Sequence, residues 1–152
     1  MESAKNLAVL VGVVVAIWSL YRGVVEFRLQ GTQKRAETFL KKQAEYFGNK
    51  AFNEIRTLLE SDSQALTQVS VEDKRAYLNF FEEVAILKNS NLMSDELVFY
   101  MYGYYAAVCV QSENFWSNIN KDKAYWVVFL SFAESMRDRI IRSEIARADI
   151  GV

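Results

Sequence analysis

Two adjacent carboxylates in an apolar setting, Glu82 and Glu83, and one thiol, Cys109, are the residues whose types could carry acid–base or nucleophilic chemistry. They lack the partners such chemistry needs. The 152 residues contain no histidine, which excludes a Ser-His-Asp triad, a Cys-His dyad and an imidazole zinc site. A single cysteine excludes an internal disulfide, and a free thiol suits a reducing compartment. Adjacent helical residues diverge by about 100°, so Glu82 and Glu83 fall on opposite edges of the arc formed by Ala76, Tyr77, Leu78, Phe80, Phe81, Val84, Ala85 and Leu87. That divergence suits structural salt bridges better than a paired acid and base. Arg137, Arg139, Arg142 and Arg147 are the arginines from which a partner is expected. Tyr100, Tyr102, Tyr104 and Tyr105 could stack a ligand ring, but read first as core residues with hydroxyls at its edge. No Gly-rich phosphate loop, metal-ligand cluster or internal repeat occurs in the chain. No catalytic residue, metal site or cofactor is assigned, and the chain is not read as an enzyme.

The elements that must position these residues are helices. There are no prolines and six glycines, too few breakers for the turns of an all-β fold. The expected fold class is all-α: one N-terminal transmembrane helix followed by a cytoplasmic helical bundle. Three segments are expected: an anchor over 1–26, a long basic amphipathic helix over 27–60, and the bundle over 61–152.

The anchor rests on Leu7 to Tyr21, fifteen residues without a charge, bounded by Lys5 and Arg22. With Asn6 it covers roughly 24 Å against a hydrocarbon layer of about 30 Å. Snorkelling by Lys5 and Arg22 and the apolar Gly23, Val24 and Val25 extend it. A buried core helix and a cleaved signal peptide are the competing readings. The N-terminal position weighs against the first, and the missing small-x-small cleavage pattern against the second. Ala8, Gly12 and Ala16 form a small-residue stripe, either a face for close helix packing or the ordinary composition of a membrane helix.

Lys5 is the one basic residue before the segment, whereas Arg22, Arg28, Lys34, Arg35, Lys41 and Lys42 follow it. The positive-inside rule then places the C-terminal part in the cytoplasm, on a single-pass inner-membrane protein. Net charge is −1, yet residues 1–60 carry nine basic against six acidic side chains and the remainder nine against thirteen. Arg28, Lys34, Arg35, Lys41 and Lys42 are therefore the expected anion contacts, for lipid headgroups or for an oligonucleotide.

Gly31-Thr32 reads as a break, with Thr32 capping a new helix. From there Ala36, Leu40, Ala44, Phe47, Ala51, Ile55 and Leu58 recur at helical steps, predicting one straight buried stripe. Residues 61–70 are a polar connector. Ser70 and Ser94 are expected to cap the next two helices. Residues 97–110 are apolar or aromatic all round and predict a helix buried on every side. Ala124 to Leu130 is β-prone, but with no partner strand it is read as helix.

The stretch Leu78-Asn79-Phe80-Phe81-Glu82-Glu83-Val84-Ala85, then Asp95-Glu96-Leu97 and Gly103-Tyr104-Tyr105, resembles a bacterial family of small helical proteins of unknown function. Its members have one N-terminal membrane helix and an LNFFEE-type core, and the resemblance covers about residues 33–145. By architectural analogy the chain is also similar to membrane effectors of antiphage defence systems of the Hailong type. That resemblance implies a nucleotidyltransferase partner and a nucleotide or oligonucleotide signal. The expected function is a self-associating membrane effector, with channel activity in a closed homo-oligomer of four copies. The alternative is a passive inner-membrane-anchored scaffold or adaptor.

Overall fold

The computed structural model describes the backbone of residues 2–122 and 124–150, and the side chains of 12, 15–122 and 124–143. The described residues are all-α, with no strand among them. Helix α1 spans Glu2–Gly48 without a break at Gly31. Thr32, expected as a cap, turns its hydroxyl back onto the Arg28 carbonyl at 3.1 Å. A hydroxyl that back-bonds one turn earlier is compatible with a helix interior. The helix instead ends at Gly48. Asn49 (φ −80°, ψ 119°) leaves the helical region and caps α2, Lys50–Leu59, by accepting from the backbone N–H of Ala51 and Phe52. The single long stripe predicted across 36–58 is therefore two stripes of different phase.

The chain divides into two compact units, residues 1–37 and 38–152. The first is a helical segment whose described large apolar side chains are exposed, from Val15 to Leu29. Among the described residues no helix is long and apolar enough to cross a membrane. The side chains of 7–11, 13 and 14, within the predicted apolar run, lie outside those residues.

The second unit holds the core. A 3₁₀ turn at Gln64–Gln68 buries Leu66 inside what reads as a polar connector. Helix α3, Val71–Asn89, starts at Ser70, the expected cap, whose hydroxyl accepts from Asp73 N–H and donates to the Asp73 carboxylate. Helix α4, Asp95–Val98, is capped by Ser94 as expected. It runs into a π-helical turn at Phe99–Gly103 and then α5, Tyr104–Gln111. The short α6, Glu113–Trp116, and a 3₁₀ turn at Ala124–Trp126 lead to α7, Val127–Ile150, which packs on α5 and α3. The segment 97–110 is not buried on every side. Tyr102 is buried, but Tyr100 is 84% exposed and Tyr104 stands half in solvent, because the π turn rotates the apolar face between them.

Candidate functional site

The α1 residues that enter the bundle are Phe39, Lys42, Gln43 and Tyr46, whereas Leu40, Ala44 and Phe47 of the expected stripe are exposed. Tyr46 is fully buried and is the hub of the core. Its ring meets those of Phe52, Tyr77, Phe80, Phe81, Tyr102 and Tyr105 at centroid distances from 4.9 to 6.4 Å. Its hydroxyl shares a hydrogen bond of 3.2 Å with that of Tyr77. Burial raises the pKa of both phenols, so they stay protonated. Burial likewise pushes Tyr102 up to about 12.

Arg56, on α2, lies against this hub. Its guanidinium sits 4.5 Å from the Tyr46 ring centroid and 4.6 Å from that of Phe47, and donates to Asn53. Asn53 in turn donates to the Phe47 carbonyl at 3.0 Å. The break at Gly48–Asn49 is thus stapled from both sides by stacking and hydrogen bonds.

Glu82 and Glu83 diverge as their spacing predicts, and neither pairs with an arginine in an observed ion pair. Glu83 pairs with Lys42 of α1, which also binds Glu45 at 2.7 Å. Burial works against the Lys42 ammonium, but its bonds to Glu45 and Glu83 outweigh that and hold its pKa above the ordinary 10.5. Lys42 therefore faces inward onto carboxylates instead of presenting a free cation to an external anion. Glu82 turns towards the start of α7 and accepts from the Phe129 N–H, one of the donors a helix N-terminus leaves unpaired. Its Oε1 is buried without a hydrogen-bond partner, and burial raises its pKa. Arg139 is engaged elsewhere, donating to Asp95 at 2.6 Å and stacking 4.3 Å from the Phe99 centroid. Arg147 lies outside the residues with described side chains.

Of the other expected anion contacts, Lys41 is exposed and Arg35 donates to the Gly31 carbonyl at 3.3 Å. Arg28 ends a shallow apolar face of the first unit that runs through Ala16, Leu20, Gly23 and Phe27. Lys34 is exposed. Gly12 and Ala16 are exposed on α1, and the Ala8 side chain lies outside the described residues.

A second buried cation is less expected. Lys74 is fully buried; its ammonium donates to Asn118 at 2.7 Å and lies 5.5 Å from the Phe115 ring centroid. Burial lowers its pKa. Cys109 is also fully buried, which drives its thiol well above the usual value and leaves it unreactive. Sequence reasoning missed Tyr46, Asn49, Arg56 and Lys74. A signal existed for Lys74, which sits one turn before Tyr77 and Leu78 on the same apolar arc. Among the described residues, no three Cys, Asp or Glu side chains are grouped to hold a metal ion.

The fold and this aromatic hub define a helical bundle organised around the end of its N-terminal helix. The chain belongs to the family described as a domain of unknown function (DUF4760), whose family model matches residues 6–136. No curated protein and no solved structure matches it.

Proposed function

We propose that the protein is a single-pass, self-associating membrane effector whose helical bundle lies on the cytoplasmic side. One observation carries the reading: in the charge-free stretch that ends at Tyr21, Val15, Ile17, Trp18, Leu20 and Tyr21 point outward around α1, between 57% and 70% exposed. A single helix apolar all round has no face for water, and lipid is the solvent that covers it without a protein partner. Trp18 and Tyr21, 6.4 Å apart, supply the aromatic rings favoured at the membrane interface. Arg22 and Arg28 follow on the side that the positive-inside rule retains in the cytoplasm.

One span encloses no water path, so conduction requires several copies around an axis. Four copies of the Ala8, Gly12, Ala16 face are the arrangement we favour. The reading includes control of the bundle by a nucleotide or oligonucleotide signal. Lys42 adds nothing to that contact, which rests on Arg28, Lys34, Arg35 and Lys41. Full-length protein in liposomes tests the proposal by ion flux. We expect flux from the wild type and a loss of most of it in Gly12→Leu, with the bundle still folded by circular dichroism. Full-length protein that is extracted from membranes by alkaline carbonate, or is monomeric in detergent by light scattering, defeats the reading.

A further inference from the structure

A cleft of about 330 Å³ lies between the end of α3 and the start of α7, within the second unit. That volume falls at the small end of the range for ligand sites, about 300–1,000 Å³. Ala85 and Phe132, both buried, form its apolar floor. Val127 and Val128 give it one apolar side and stand 59% and 42% exposed. The polar lining comes from both helices: Lys88 and Asn89 from α3, Ser131 and Ser135 from α7. The side chains of Asn89, Ser131 and Ser135 make no hydrogen bond to another described residue. Thr32, Thr57 and Ser143 turn their hydroxyls back onto carbonyls of their own helices, the usual resort of a hydroxyl inside a helix. Ser131 and Ser135, one turn apart, do not, and so keep their hydrogen-bonding capacity for whatever occupies the cleft. Lys88 donates to Asp95 at 3.0 Å, and Arg139 donates to the same carboxylate at 2.6 Å. Two cations share one anion, so this cluster holds one positive charge in excess. Lys88 is the member that lines the cleft. Its ammonium has three donors, of which Asp95 takes one. The start of α7 is not itself the attraction, because Glu82, one turn before Ala85, already accepts the Phe129 N–H.

We propose that this cleft binds one phosphodiester group carrying a small apolar body. The single surplus charge matches a monoanion. Donors standing on two helices surround a tetrahedral group better than they match the flat edge of a carboxylate. An arginine fork, the side chain that pairs with carboxylates through two bonds, is not part of the lining, whereas a lysine binds phosphate as a point charge. Val127 and Val128 lose exposed apolar surface to the body of the ligand. A phosphodiester is common to a nucleotide linkage and to a phospholipid headgroup, and the test separates the two. The cleft shares no residue with the basic run of α1 and needs neither the span nor self-association. It therefore goes beyond the function proposed above and stands or falls separately.

Calorimetric titration of full-length protein in a neutral detergent tests the site. The probes are dibutyl phosphate, the dinucleoside monophosphate adenylyl-adenosine and dihexanoyl phosphatidylglycerol, with butyrate as the carboxylate control. Dibutyl phosphate is expected to bind saturably, and at least about tenfold more weakly to Lys88→Gln, which loses one charge-assisted hydrogen bond. Ser131→Val fills the cleft from an exposed position, leaves the Lys88–Asp95 pair in place and should weaken binding as much. Circular dichroism checks the fold of each variant; if Lys88→Gln does not fold, Ser131→Val decides. Tighter binding of the dinucleotide than of the lipid assigns the phosphodiester to a nucleotide, and the reverse order assigns it to a headgroup. No saturable binding of any phosphodiester, equal binding to wild type and variants, or butyrate bound as tightly as dibutyl phosphate would overturn the proposal.

Discussion

The buried cation Lys74 makes the sharpest single-residue case. Its ammonium has one side-chain acceptor, Asn118, and no carboxylate hydrogen-bonded to it. Burial lowers its pKa below the ordinary 10.5, so the unfolded chain binds the proton more tightly. Stability contributed by this group therefore rises with pH through the window that ends near 10.5, and stays at its low value below the folded pKa. Lys74→Met should unfold at higher temperature at neutral pH and lose that upward slope; melting curves followed from neutral pH up to 10.5 check both. An unchanged slope would mean the proton is held elsewhere. Tyr46 gives the complementary test. Tyr46→Phe removes the bond to Tyr77 and should cost about 1 kcal/mol. Tyr46→Ala opens a cavity amid the rings that surround it and should cost about 3–5 kcal/mol, read by denaturant unfolding of the bundle. The divergence of Glu82 and Glu83 was legible from helical spacing alone. Their partners were not, because Lys42 and the Phe129 N–H come from elements distant in sequence.

At the level of elements, the join between α1 and α2 is the part least visible in the chain. Apolar positions continue at helical steps through Gly48 and Asn49, so periodicity predicts one helix. The break is set by what periodicity ignores: glycine's weak helix propensity, the Asn49 side chain accepting two backbone N–H groups, and Arg56 stacking across the corner. Asn49→Ala should lower the stability of the bundle by about 1 kcal/mol, measured by thermal unfolding, whereas Asn49→Asp should retain most of it. The caps at Ser70 and Ser94 were readable because a cap is a local feature, written within three residues. The buried helix expected over 97–110 failed for the opposite reason. A π turn changes the angular register, and composition carries no trace of it. The tie of α1 to α3 is modest in energy: Glu83 is 57% exposed, so Glu83→Gln should cost under about 1 kcal/mol.

For the whole molecule, the all-α class followed from the scarcity of glycine and the absence of proline. The division into units did not follow: the boundary falls at Glu37 and Thr38, inside α1, so it coincides with no change of secondary structure. That boundary has a bearing on processing. The hub residue Tyr46 is carried by the same helix as the apolar segment. Backbone scission before Thr38 leaves every ring around Tyr46 in place. Scission at Phe47 or Gly48 severs the hub from α2 and leaves it held in the core by non-covalent contacts alone. Trypsin-like cleavage at Arg28, Lys34 or Arg35 should therefore liberate an intact fragment beginning near Thr38, while a nick at Phe47 or Gly48 yields one that melts. The address of the cut, more than its occurrence, decides between release and destruction.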